Sequence, residues 1–134
     1  MQRIPALHYA PSPLGGRGVF TADDVPTDCL LEICPVLVIP ADQRAAIHTS
    51  VLHDYYFVWG ADHNQAAIAL GFGSLYNHSD TPNVAFLPDY DHLTIDFISL
   101  RPLRAGEELL VDYRGEGPQR AELWFDLHPK TPTS

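Results

Sequence analysis

The spread of proline and glycine along the chain limits its fold more than any other sequence feature. There are 12 prolines and 9 glycines among 134 residues. Proline removes a helical hydrogen bond and glycine weakens a helix, so long helices would be broken repeatedly. The length fits one domain, and a hydrophobic fraction of 46% can fill a core. We expect a single, mostly β domain over residues 1–134, with about six to eight short strands and one or two short helices.

The charge balance excludes several partners. Eight Lys and Arg residues oppose 17 Asp and Glu residues, giving a net charge of −9. Such a chain repels phosphate, so we expect neither nucleic acid nor an anionic membrane as a partner, and we expect attraction to a Lys-rich protein. The N-terminal residues lack the apolar run of a secretory signal. Cys29 and Cys34 are too few for a disulfide scaffold, so both are expected as reduced thiols in a cytoplasmic protein.

The apolar pattern places several elements. The strongest β-run is CLLEICPVLVI at 29–39, and Pro35 inside it predicts a bulge or an edge strand. A short helix is expected at roughly 42–48. Residues 93–100 alternate between apolar and polar positions, as in a half-buried strand. The segment 71–83 is rich in Gly, Ser, Asn and Asp and is expected to form an ordered loop.

Three short segments stand apart from generic β sequence. They are GGRG at 15–18, YNHSDTPN at 76–83 and GEELLVDY at 106–113. Each alone has an ordinary interpretation, namely a glycine turn, loop side chains that satisfy their own turn, and a tyrosine packed in the core. Taken in this order, they closely resemble the SET domain, a family of protein-lysine methyltransferases that use S-adenosylmethionine. The resemblance covers about 14–113, which leaves 114–134 as a C-terminal tail with an aromatic cap.

The resemblance implies a fold and a reaction. The fold would be the SET β-clip, with small curved sheets, a C-terminal pseudoknot and one or two short helices. The cofactor would be S-adenosylmethionine, leaving S-adenosylhomocysteine as product, and no metal is expected. The substrate would be a lysine side-chain amine of a basic protein, such as a histone-like or ribosomal-type protein.

The resemblance also assigns roles to residues of this chain. Tyr113 matches the catalytic tyrosine. The residues implied in cofactor binding are Gly16, Arg17, Gly18, Asn77, His78 and Trp124. Those implied in the substrate channel are Tyr76, Phe86, Cys34, Tyr56 and Phe125. Phe86 stands at the Phe/Tyr switch position, which in this family influences how many methyl groups are added. Cys34 stands where many members have a channel tyrosine.

Two departures keep other interpretations open. Cys34 and Arg114 differ from the common family pattern, which leaves the alternative of a catalytically weak SET-like domain that acts as a protein-interaction module. A third alternative is an unrelated β-clip domain that binds a sugar or a nucleotide. The aromatic segment 55–59 fits either the core or a wall of the peptide groove. The sequence does not decide whether the chain forms a homodimer.

Overall fold

A computed structural model describes residues 2–113, so the predicted cap residues Trp124 and Phe125 lie outside the described part. Within it the chain is mostly β, as predicted, with one short α-helix. The strands are β1 (Leu7–Pro11), β2 (Arg17–Thr21), β3 (Leu30–Ile39), β4 (Tyr56–Trp59), β5 (Gln65–Ala69), β6 (Asn77–His78), β7 (Val84–Asp89), β8 (Thr94–Ser99) and β9 (Glu108–Val111). The helix α1 spans Arg44–His48, and 3-10 helices span Ala41–Gln43, Val51–Asp54 and Gly73–Leu75.

The smaller sheet brings the sequence-predicted site segments together. Its strand order is β1-β2-β9-β6. Strand β9 pairs antiparallel with β2 and parallel with β6, where Asn77 lies opposite Leu110. The last described strand therefore lies between the glycine-rich segment and the Asn77–His78 segment, as the predicted pseudoknot requires.

The larger sheet is built on the strongest apolar run. Its strand order is β4-β5-β3-β8-β7, and all its pairs are antiparallel. The expectation for Pro35 was wrong in detail. Strand β3 is central, and its register shift lies between Leu30 and Glu32. Pro35 lies where the pairing changes, because residues up to Pro35 pair with β8 and residues from Val36 pair with β5. The missing N–H of proline thus falls at a junction between two ladders.

Aromatic side chains from several strands form the core next to the small sheet. Phe57 and Phe97 are almost fully buried, and the Tyr76 ring stacks on Phe97 with 4.4 Å between centroids. Phe57 packs against both Phe86 and Tyr113, with centroids 4.9 Å apart in each case. Each buried ring contributes about 1.5–3 kcal/mol of hydrophobic stabilisation. Packing in the core therefore holds the rings of Tyr76 and Tyr113 in place.

Strands β1 and β7 were not predicted as strands, and β6 lies in the segment 71–83 that was expected to be an ordered loop. Residues 1–13 were expected to be an extended lead-in, yet β1 pairs with β2 over five residue pairs. Strand β7 pairs with β8 along its whole length. Both β1 and β7 contain proline and both lie at sheet edges, where a missing N–H costs little.

Among the described residues, no helix is long and apolar enough to span a membrane.

Candidate active site

A cavity of about 520 Å³ opens where the two sheets meet. Its wall comes from residues 15–17, 53–56 and 74–78, together with Tyr113. The volume lies within the range of about 300–1,000 Å³ that is usual for small-molecule sites. The cavity thus joins the three sequence segments that the resemblance singled out, and it adds the short 3-10 turn before β4.

The glycines of the first segment are required for two different reasons. Gly15 and Gly16 have φ values of 113° and 59°, which lie in the left-handed region that favours glycine. At Gly18 the limit is space. A Cβ there would overlap the Glu108 carboxylate and would lie 2.9 Å from Asn77 Nδ2. Gly18 is therefore a glycine because of the protein's own side chains, whereas Gly15 and Gly16 shape the turn at the cavity.

A polar network connects that turn to Asn77. The Nδ2 group of Asn77 donates to Glu108 Oε2 at 2.8 Å and to the main-chain oxygen of Arg17 at 3.3 Å. The hydroxyl of Ser12 donates to both carboxylate oxygens of Glu108, at 2.9 and 3.0 Å. The side chains of Asn77 and Glu108 thereby join β6, β9 and the start of β2.

The Tyr113 side chain is fixed by one short hydrogen bond. Its hydroxyl donates to the main-chain oxygen of Tyr76 at 2.6 Å. Burial raises the pKa of the Tyr113 phenol above its ordinary value, and the nearby Tyr55 adds to the shift. Tyr113 therefore stays a neutral phenol at physiological pH, with its hydroxyl oxygen as an acceptor that borders the cavity.

The side chain of His78 contacts the main chain of Tyr113. The backbone N–H of Tyr113 donates to His78 Nδ1 at 3.2 Å, and His78 Nε2 lies 3.0 Å from Asp80 Oδ1. Because Nδ1 accepts a hydrogen bond here, the hydrogen-bond pattern assigns the imidazole proton to Nε2. The resemblance implied His78 in cofactor binding, and the structure adds this side-chain contact to Tyr113.

A buried carboxylate lies behind the cavity wall. Glu32 is only 2% exposed. Its Oε1 accepts from the Tyr76 hydroxyl at 3.0 Å, and its Oε2 accepts from the Phe72 N–H at 2.9 Å and from Arg3 Nη1 at 3.2 Å. Sequence reasoning missed this role, although a lone glutamate inside the apolar run 29–39 was the available signal. Burial, with Glu32 next in effect, raises the pKa of the Tyr76 phenol well above its ordinary value.

The rim of the cavity beside α1 carries polar and aromatic groups. Asp54 is exposed and lies 3.0 Å from His53 Nδ1, and the Tyr56 hydroxyl lies 2.9 Å from His48 Nδ1. The structure separates the residues of the aromatic segment 55–59, and a role in a peptide groove stays a prediction. Tyr55 and Tyr56 line the cavity, whereas Phe57 and Trp59 are buried in the core.

The structure brings most, but not all, of the predicted site residues together. Those lining the cavity are Gly16, Arg17, Tyr56, Tyr76, Asn77, His78 and Tyr113. Gly18, Cys34 and Phe86 are buried nearby and are not among the described residues that line it. Cys34 packs close to Gly73, where an added Cβ would lie 2.9 Å from its Sγ. Phe86 packs against Phe57, which in turn packs against Tyr113. Their channel roles stay predictions, as do those of Trp124 and Phe125 outside the described residues.

No group of three or more His, Cys, Asp or Glu side chains within residues 2–113 is arranged to hold a metal ion. The polar groups that line the cavity include amide, imidazole, phenol and main-chain groups, together with the Arg17 guanidinium and the Asp54 carboxylate. Such groups can form directional hydrogen bonds with an organic ligand.

Comparison with known proteins agrees with the geometry. The SET domain family matches residues 16–114. A Schizosaccharomyces pombe protein named histone-lysine N-methyltransferase, H3 lysine-37 specific, is 33% identical over 132 residues, covering 92% of this chain and 82% of that protein. The crystal structure of a Plasmodium falciparum protein, described as a candidate histone methyltransferase, superposes with a TM-score of 0.61 at 25% identity, covering 84% of this chain and 95% of that one. The chain therefore belongs to the SET-domain family of protein-lysine methyltransferases.

Proposed function

We propose that this protein transfers methyl groups from S-adenosylmethionine to the side-chain amine of a lysine in a basic protein. One observation carries the proposal. The glycine turn at 15–17, the Asn77–His78 strand and the fixed Tyr113 hydroxyl share one cavity of about 520 Å³. These are the groups that the family resemblance assigns to the cofactor and to catalysis.

The residues at the cavity fit such a cofactor. Gly15 and Gly16 have positive φ values that favour glycine, and as glycines they place no side chain between the turn and the cavity. No protein atom lies within 4 Å of the position that a Cβ would take at either residue. Main-chain groups of the turn, the Asn77 amide and His78 would hold it. When bound, S-adenosylmethionine would supply an electrophilic methyl group on a positively charged sulfur.

Tyr113 would orient the lysine amine and would not remove its proton. A phenol whose pKa is raised by burial is a poor base at neutral pH. Keeping a lysine neutral at pH 7.4 costs about 4 kcal/mol, because the reference pKa is about 10.4. Burial among Tyr56, Tyr113 and the neighbouring aromatic rings lowers that cost by disfavouring the charged amine. Alignment and desolvation are therefore the chain's main contributions to the rate.

The charge of the chain favours a basic substrate. The net charge is −9, and the exposed Asp54 carboxylate lies on the cavity rim. A Lys- or Arg-rich segment would be steered toward such a surface. The Schizosaccharomyces pombe relative is named for histone H3. We infer that a histone-like basic tail is the first substrate to test.

Calorimetric titration with S-adenosylhomocysteine, with ATP as the control ligand, tests the cofactor assignment. We expect micromolar affinity for S-adenosylhomocysteine, at least tenfold weaker binding to Asn77→Ala, and no binding of ATP. Absence of S-adenosylhomocysteine binding, also in the presence of Lys-rich peptides, would contradict the proposal. Preferential binding of ATP would favour the alternative of a nucleotide-binding β-clip domain.

The interaction-module alternative is separated by turnover. Histone and Lys-rich peptide mixtures should gain methyl groups in mass spectra with the wild-type protein and lose that gain with Tyr113→Phe. If the wild-type protein binds these peptides with unchanged affinity after Tyr113→Phe and methylates none of them, the interaction module is the better description.

A further inference from the structure

The side-chain amide of Asn77 is held in one orientation by its neighbours. Its NH₂ end faces the Glu108 carboxylate at 2.8 Å and the main-chain oxygen of Arg17 at 3.3 Å. Both neighbours are acceptors only, so the nitrogen must face them whichever way the amide is assigned. Its two N–H donors are thereby used, and the carbonyl oxygen of Asn77 is the part of the amide left for a ligand.

Glu108 is itself held from the opposite side. The Ser12 hydroxyl donates to both of its oxygens, and Ser12 Oγ in turn accepts from the Leu14 N–H at 3.0 Å. The absence of a Cβ on Gly18 leaves the room that the carboxylate occupies. The position of the Glu108 carboxylate is therefore fixed by the turn before β2 and by the location of Glu108 at the start of β9.

We propose that Glu108 is a positioning residue that locks the Asn77 amide with its carbonyl oxygen toward the cavity. Asn77 then acts as an acceptor and selects a ligand that presents an N–H donor there, an amine or ammonium group. The inference rests on the proposed function, in which the ligand is an S-adenosyl compound with an α-ammonium group at its amino-acid end. Without Glu108 the amide could turn its NH₂ toward that ammonium, so that two donors would face each other.

Ligand pairs and two substitutions test this role. The ligands are S-adenosylhomocysteine and its analogue without the α-amino group, titrated by calorimetry. Glu108→Met removes the acceptor at similar length, and we expect it to weaken S-adenosylhomocysteine binding about tenfold and the deaminated analogue less than about twofold. Glu108→Gln keeps a carbonyl oxygen that can accept from Asn77, so we expect it to stay within about threefold of wild type.

Controls separate positioning from charge and from folding. Asp91→Asn removes the same charge from an exposed loop and should change neither affinity. Ser12 does not line the cavity, and Ser12→Ala loosens Glu108, so we expect a smaller loss with the same preference for the deaminated analogue. Equal loss of both ligands in Glu108→Met would reduce Glu108 to a structural residue and overturn the proposal. Equal loss in the Gln and Met variants would show direct charge attraction and would also overturn it.

A readout without ligand keeps this inference distinct from the proposed function. The side-chain NH₂ signals of Asn77 can be assigned in NMR spectra by their loss in Asn77→Asp. We expect slow hydrogen exchange of these signals in the wild type and in Glu108→Gln, and at least about tenfold faster exchange in Glu108→Met. Unchanged exchange in the Met variant would overturn the locking role. Failure of the wild type to bind either S-adenosyl ligand would instead overturn the proposed function.

Discussion

The hydroxyl of Tyr76 should stabilise the fold without being required for the cavity. The Tyr76 hydroxyl donates to Oε1 of the buried Glu32 at 3.0 Å. The other carboxylate oxygen of Glu32 accepts hydrogen bonds from the Phe72 N–H and from Arg3. A hydrogen bond to a charged group contributes about 1.5–3 kcal/mol. Tyr76→Phe removes this bond and keeps the ring that stacks on Phe97. We therefore expect a loss of about 2 kcal/mol in the free energy of unfolding.

Urea unfolding followed by tryptophan fluorescence, to which the buried Trp59 contributes, measures this loss. The midpoint should fall while the slope m stays constant, because the surface exposed on unfolding is unchanged. The melting temperature should drop by roughly 6–10 °C. Tyr9→Phe is the matched control, since Tyr9 is 53% exposed and its hydroxyl should contribute less than about 0.5 kcal/mol. A loss in Tyr76→Phe no larger than in this control would refute the reasoning.

A double-mutant cycle with Glu32→Gln assigns the loss to the pair. A neutral amide in place of the carboxylate leaves a bond between uncharged groups, which contributes only about 0.5–1.5 kcal/mol. Tyr76→Phe should therefore cost about 1 kcal/mol less in that background. Since the main-chain oxygen of Tyr76 still accepts from Tyr113, S-adenosylhomocysteine affinity should stay within about threefold. Additive losses would show that the phenol acts elsewhere.

Three further predictions follow from the same geometry. Tyr113→Phe should lower turnover about 10²-fold with cofactor affinity within about threefold, measured by mass spectrometry and calorimetry; equal losses in both would argue against an orienting role. Burial raises the pKa of Cys34, Tyr76 and Tyr113 above ordinary values near 9 and 10, so the folded chain keeps protons that the unfolded chain releases. Stability should thus hold below about pH 9 and fall above it, by about 1.4 kcal/mol per pH unit for Cys34 from about pH 9 and for each tyrosine from about pH 10, in urea unfolding at pH 8 and 10.5; constant stability would contradict the shifts. Phe86 at the switch position predicts addition of more than one methyl group, and only monomethylated lysine after long incubation would contradict it.

The sequence predicted the elements whose pattern is local. The apolar run of β3, the alternation of β8 and the short α1 all appear where expected. Strands β1 and β7 were not predicted, because proline interrupts both and only their sheet partners make them strands. Tertiary pairing decides such edge strands, and a single-sequence pattern does not contain it.

The candidate site divides in the same way. Residues that face the cavity, such as Arg17, Asn77 and Tyr113, stand in recognisable segments. Their supports do not, because Glu32 and Glu108 lie 45 and 31 residues from Asn77 along the chain, as the numbering shows, and act through contacts that only folding creates. The sequence also does not indicate why residue 18 is a glycine, since the Glu108 side chain that excludes a Cβ there comes from β9.

These two glutamates fix the segment 72–77 at both ends. Glu32 accepts from the Phe72 N–H and the Tyr76 hydroxyl, and Glu108 accepts from the Asn77 amide. The Tyr113 hydroxyl then binds the carbonyl between those anchors, so its position depends on both. A wall held in this way is ordered before any ligand arrives, and binding does not have to supply the entropy cost of ordering it. The buried Glu32 and the half-buried Glu108 therefore serve the site by fixing the geometry of its wall.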